Sequence, residues 1–303
     1  MKYLLSLLAF GIVACTSAPK QVVQKPFLYE VKKGTSKGYI FGTIHTGVDV
    51  SELPDSFWPY FDKADRVIVE GFSPPEAIMA SVNKYGYRSP EQKSLRELLS
   101  FEEYMALLAK VQKGHGVEVA KLSPFGAYNI LLQIERYGGV QSQMKTQALT
   151  LEDSMDGNLY MRAINQNKSI VQLDEGHLET ITACLATGHD QFYLNEIRRF
   201  LTKKTALQEE LQFDEKAKAV YRESDEKALQ DILSTPESME FYACTTAERN
   251  KRWISQIESS LQSSSHTFVA VGTGHLTDGP ASLEKLFTAR GYTFQRVNLN
   301  TEK

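Results

Sequence analysis

Hydrophobic and polar positions change rhythm twice along the chain. Near the start, the apolar runs 27–31 (FLYEV) and 39–41 (YIF) flank a polar stretch, 32–38, that contains Gly34 and Gly38. This pattern predicts a β-hairpin. Pro54-Asp55-Ser56 then opens a short helix ending near Ala64, and Arg66-Val67-Ile68-Val69-Glu70 reads as the next strand. Strand, helix and strand make a β-α-β unit, whose right-handed crossover returns the chain parallel and leaves Glu70 at a carboxyl end. From about 95 to 261 the period becomes helical. Leu95, Leu98, Leu99, Leu107, Leu108 and Val111 recur at helix spacing, as do Leu194, Ile197, Phe200, Leu201 and Leu207. These are core faces. The run Ser169-Ile170-Val171-Gln172-Leu173 interrupts them as one more strand, with Asp174 at its end. Strand character returns at 267–271, followed by a helix over 281–290, Gly291 as its stop, and a last strand at 293–297. The fold class expected is α/β, with a sheet built from N- and C-terminal segments and a large, mainly helical insertion at about 95–261.

The 303 residues are 42% hydrophobic and 23% charged, an ordinary globular composition. A net charge of −3 gives no basic field, so nucleic acid is excluded as a partner. Lys2 followed by the apolar run from Leu4 to Val13 reads as a signal peptide over 1–15. Its end, Ile12-Val13-Ala14-Cys15, resembles a bacterial lipobox, which makes Cys15 the lipidated residue. The alternative is an ordinary signal peptide with a chance cysteine. Residues 16–25 serve as a tether and 26–300 as the folded domain. Thr16 stands where an aspartate would direct retention at the inner membrane. The resemblance to Gram-negative lipoproteins therefore implies a place in the bacterial cell envelope, lipid-anchored to the outer membrane and facing the periplasm. No other stretch approaches the ~18 apolar residues of a spanning helix. Cys184 and Cys244 are then the remaining thiols in an oxidising compartment, and a disulfide between them is expected. Neither neighbourhood offers the base that a nucleophilic cysteine needs.

The strand ends carry the candidate chemistry. Gly42-Thr43-Ile44-His45 follows one strand and Gly272-Thr273-Gly274-His275 follows another, far along the chain. In open α/β sheets, ligands gather outside the carboxyl ends of strands. There, His45, Glu70 and His275 would supply two imidazoles and a carboxylate, a common ligand set for a catalytic divalent metal. Gly42 and Gly272 would permit close approach of the backbone. The threonines would hold the turn or the ligands. His115, His177, His189 and His266 lie in or beside loops and read as exposed residues.

Tyr39-Ile40-Phe41-Gly42-Thr43-Ile44-His45, Val67-Ile68-Val69-Glu70, Glu248-Arg249-Asn250 and Val271-Gly272-Thr273-Gly274-His275-Leu276 together resemble the TraB/GumN family, from about 27 to 297. That family is similar to the Tiki metalloproteases, which cleave peptides near a protein N-terminus, and more distantly to the erythromycin-esterase and ChaN-like folds. The resemblance implies a divalent metal on His45, His275 and Glu70, with Glu70 as third ligand or general base. It also implies catalytic roles for Arg249 and Asn250 at the start of a helix facing the centre. A structural salt bridge is the alternative for Arg249. One departure is Leu173-Asp174, where family members often carry Leu-Glu. Two functions follow as expectations. One is a metal-dependent hydrolase, a peptidase, acting on a peptide or small-molecule substrate. The other is a non-catalytic lipoprotein that binds a small ligand, a haem-like group or a partner peptide.

Overall fold

The computed structural model describes residues 21–45, 47–112, 118–137, 154–276 and 279–299. The signal peptide and lipobox, the tether up to residue 20, and His115 lie outside the described residues. Six strands form one mixed sheet: β1 (Leu28–Lys33), β2 (Ser36–Thr43), β3 (Arg66–Val69), β4 (Ser169–Gln172), β5 (Thr267–Gly272) and β6 (Thr293–Arg296). Their spatial order is β4-β3-β5-β2-β1-β6. β4, β3, β5 and β2 run parallel, while β1 is antiparallel to both β2 and β6. The last long strand, β5, is thereby inserted between the first two strands of the parallel set. All six of its residues are buried, as a central parallel strand covered on both faces requires.

The expected polar loop at 32–38 is shorter than its composition suggests. β1 and β2 continue to Lys33 and Ser36, closing over Gly34-Thr35 with Gly34 at φ 59°. The hairpin hydrogen bonds outweigh local polarity here, because both strands lie toward one side of the sheet where Lys32 and Lys37 remain solvated. The helix expected at 54–64 is a 3-10 turn, Asp55–Phe57, leading into Trp58–Asp62 with Pro59 in the first turn. Near the C-terminus the helix is Leu283–Ala289, capped by Ser282, whose hydroxyl accepts from the Lys285 N–H.

The core has two parts. Phe41, Phe57, Phe61 and Phe268 pack as an aromatic cluster against one face of the sheet, with ring centroids 4.7 to 6.3 Å apart. A second cluster holds the insertion together and contains Leu95, Leu107, Val111, Leu131, Ile197 and Phe200. Cys184, in the helix Leu178–Ala186, is disulfide-bonded to Cys244 with Cα atoms 5.6 Å apart. Among the described residues no helix is long and apolar enough to cross a membrane.

Candidate functional site

Four parallel strands put four chain exits on one edge of the sheet. Thr43 pairs with Gly272, Val69 with Ala270, and Val69 with Gln172, so His45, Glu70, Asp174 and His275 all leave from the same rim. The two G-T-x-H motifs interlock there. Thr273 Oγ1 donates to the Thr43 carbonyl at 2.6 Å, tying the end of β5 to the end of β2. Thr43 Oγ1 donates to Asp156 Oδ1 at 2.5 Å. Tyr221 Oη, fully buried, donates to the Gly42 carbonyl at 2.7 Å and fixes the strand just before its histidine.

The glycines serve different ends. A Cβ on Gly42 would stand 2.7 Å from Leu276 Cδ1, which makes this glycine a packing requirement. A Cβ on Gly272 would stand 3.0 Å from Glu70 Oε1 and 3.3 Å from His45 Nε2. Gly272 is therefore where the Glu70 carboxylate and the His45 ring both approach the backbone. Its N–H donates to Glu70 Oε1 at 2.5 Å.

Each imidazole is tied back through Nδ1. His45 Nδ1 lies 2.9 Å from Asp156 Oδ2, a carboxylate on the helix Met155–Asn165. His275 Nδ1 lies 2.7 Å from Asn250 Oδ1. Asn250 is fully buried and gives its amide hydrogens to the His275 and Ala281 carbonyls at 3.0 and 2.9 Å, so its oxygen must accept from Nδ1–H. His275 Nε2 is then the bare nitrogen. It lies 3.6 Å from Glu70 Oε1 and accepts from Arg249 Nη1 at 3.1 Å.

Arg249 occupies the middle of the site. Its Nε and Nη2 donate to Asp174 Oδ2 at 2.9 and 2.6 Å, its Nη1 to the Thr245 carbonyl at 2.9 Å, and its Nη2 also pairs with Glu70 Oε2. A π-helical turn, Ala243–Ala247, precedes the helix Glu248–Ser263 and turns the Thr245 carbonyl toward the guanidinium. One helical turn on from Arg249, Trp253 donates from Nε1 to Asp174 Oδ1 at 2.9 Å. Its ring packs on His275 at 4.4 Å and beneath the guanidinium at 4.6 Å.

Environment sets the charges. Burial pushes the Glu70 carboxyl up, but the charged neighbours Arg249 and His45 and the Gly272 N–H outweigh this and hold it ionised, below the usual carboxylate range. Burial pushes His275 below the ordinary imidazole value and keeps it neutral. His45 is the opposite. Its side chain is 65% exposed, and the hydrogen bond to Asp156 raises its pKa to about 9.

The structure thus brings His45, Glu70, His275 and Arg249 to one rim, with Gly272 between the first two. Asn250 stands behind His275, fully buried and bonded to its Nδ1. Asp174, at the position where the resemblance departs from Leu-Glu, is the principal anchor of Arg249. Asp156 escaped the sequence reading altogether. An acid in the first turn of a helix ordinarily reads as a solvated partner of the helix dipole, and its burial is a tertiary fact.

The donor types suit a divalent ion. Two imidazoles present Nε2 beside a carboxylate, and each has the Nδ1 contact that orients histidine ligands. Arg249 occupies the space among them, and no three His, Cys, Asp or Glu side chains stand at ligand spacing among the described residues. Its Asp174 and Thr245 contacts are a second anchorage, independent of Glu70 and His275. Beside this centre a cleft of about 380 Å³ opens between the loop after β3 and the helix Leu178–Ala186, with Arg249 and Asp174 at its inner end. A wider groove of about 810 Å³ beside Trp58 and Arg162 contains none of the rim residues.

A family model, that of the TraB/PrgY/gumN family, matches residues 27–296, nearly the whole chain. No curated protein and no solved structure matches it.

Proposed function

The chain belongs to the TraB/PrgY/gumN family, and from that premise we propose that it is an exported, lipid-anchored, metal-dependent hydrolase, a peptidase, centred on His45, Glu70 and His275. One observation carries the reading: both imidazoles are tied through Nδ1, to Asp156 and to Asn250, His275 Nε2 lies 3.6 Å from Glu70 Oε1, and His45 Nε2 and Glu70 Oε1 both close on the Gly272 backbone. A divalent ion held by His45, His275 and Glu70 would supply a water of lowered pKa and polarise a substrate carbonyl. The protein's own groups do the rest. Asn250 fixes the tautomer of His275, and Asp156 that of His45. His45, protonated up to about pH 9, gives its Nε2 proton to solvent through its exposed face before it can ligate or act as a base. Arg249, whose five N–H groups are taken by Asp174, Thr245, Glu70 and His275, would hold its positive charge beside a carbonyl oxygen that gathers negative charge. Lipidation at Cys15, on the periplasmic face of the outer membrane, belongs to the same proposal, and the Cys184–Cys244 disulfide supports export.

The alternative is a binding module without turnover. It is favoured by the ion pairs of Arg249, which already occupy both Glu70 and Asp174. Elemental analysis of the purified protein after loading with divalent metals, together with peptide hydrolysis, separates the two. We expect stoichiometric metal and turnover in the wild type, both lost in His45→Ala and His275→Ala. Metal content unchanged in those variants would remove the centre, and bound metal without turnover would leave the binding module.

A further inference from the structure

The cleft beside Arg249 has a chemistry of its own. At about 380 Å³ it lies at the small end of ligand pockets and suits one side chain, not an extended chain. Its lining is mixed: Phe72 and Pro74 on one side and Leu178 and Ile181 on the other are apolar, while Ser73, Gln172, Asp174, Glu175 and Arg249 supply polar surface around them. The Phe72 ring is held against Tyr160 with centroids 4.8 Å apart, and the facing helix is held by the Cys184–Cys244 disulfide, so both walls are braced. Gln172, at the end of β4, lines the floor. Its Oε1 accepts from the Phe72 N–H at 2.7 Å, which fixes the amide and leaves Nε2 with no protein partner among the described residues.

We propose that this cleft is the specificity pocket of the enzyme, taking one large apolar side chain of a peptide while Gln172 Nε2 donates to the adjoining peptide carbonyl. The inference rests on the hydrolase reading and deepens it by naming the substrate class. An apolar side chain withdraws from water between Phe72 and Ile181. The fixed amide then aligns the backbone, so that the bond to be cut lies at the inner end, toward Arg249 and Glu70. Phe72 and Ile181 line the cleft and the rim histidines do not, so substitutions at Ile181 should alter selection and leave the centre intact.

The test is a set of synthetic peptides differing only at one position, Gly, Ala, Leu or Phe, digested by the metal-loaded protein and read by mass spectrometry. Wild type should prefer Leu and Phe. Ile181→Trp fills the pocket and should lower kcat/KM for the Leu and Phe peptides by about tenfold or more while changing the Ala peptide by less than about threefold. Gln172→Leu should slow all the peptides alike. An equal loss on every peptide in Ile181→Trp, with metal content unchanged, would overturn the pocket and leave the hydrolase standing. If wild type cuts none of the peptides, the hydrolase reading fails, and binding decides the pocket separately. Titration with N-acetyl-phenylalaninamide should then show binding that Ile181→Trp abolishes. Binding absent from wild type, or equal in both forms, would overturn it.

Discussion

His45 and His275 end the same four-residue motif and sit in opposite surroundings. His275 is buried, neutral and held by an amide; His45 is exposed and held by a carboxylate. The difference lies in burial and partner, since burial disfavours the charged form of His275 and the Asp156 carboxylate stabilises the His45 imidazolium. The His45 ring should therefore titrate near 9 by NMR, and Asp156→Asn should bring it down toward 6.5. The sign for stability follows from linkage. A pKa raised in the folded state contributes stability that is full below about 6.5 and is lost as pH rises through about 9. The variant should show less of that loss. A wild-type midpoint at or below 6.5 would remove Asp156 from the account.

At the scale of elements, the two strand ends read alike in sequence and do different work. Gly42 lies where β2 meets Leu276 and Phe27, and Gly272 lies where β5 meets Glu70 and His45. Gly42→Ala overpacks the core and should cost about 1–3 kcal/mol in urea unfolding. Gly272→Ala presses on the acceptor oxygen of its own N–H and disturbs how Glu70 is held. Its unfolding should shift less, while metal affinity should fall by about tenfold or more. Equal effects of the two substitutions on unfolding and on metal uptake would contradict this division. The motif showed that a glycine belonged at each position. It did not show which neighbour forbids a side chain, because Leu276 and Glu70 arrive from other segments.

For the whole molecule, the disulfide joins two parts of the insertion, the helix Leu178–Ala186 and the turn that leads into Arg249. Cys184 lies on the helix that walls the cleft, and Cys244 lies in the π-helical turn whose Thr245 carbonyl holds the guanidinium. The bond spans 60 residues, and closing a loop of that size restricts the unfolded chain by on the order of 4 kcal/mol. The double substitution Cys184→Ser with Cys244→Ser should lower stability by up to that amount. Peptide mapping without reductant on the native protein checks the bond itself, and two free thiols would exclude it.

The sequence by itself determined the strand runs, the helical middle, the repeated G-T-x-H and the pairing of the two cysteines, because apolar periodicity and short motifs are local properties of the chain. It also placed His45, Glu70 and His275 at strand ends, and parallel strands share one rim. Only the tertiary structure decided that β5 lies between β2 and β3, which sets the two histidines beside one carboxylate. It alone supplied Asp156 from the insertion, made Asp174 the anchor of Arg249, and moved Asn250 behind His275. Those partners come from segments far apart in the chain, and the burial that gives them their charges and their hydrogen bonds exists only once the segments have packed.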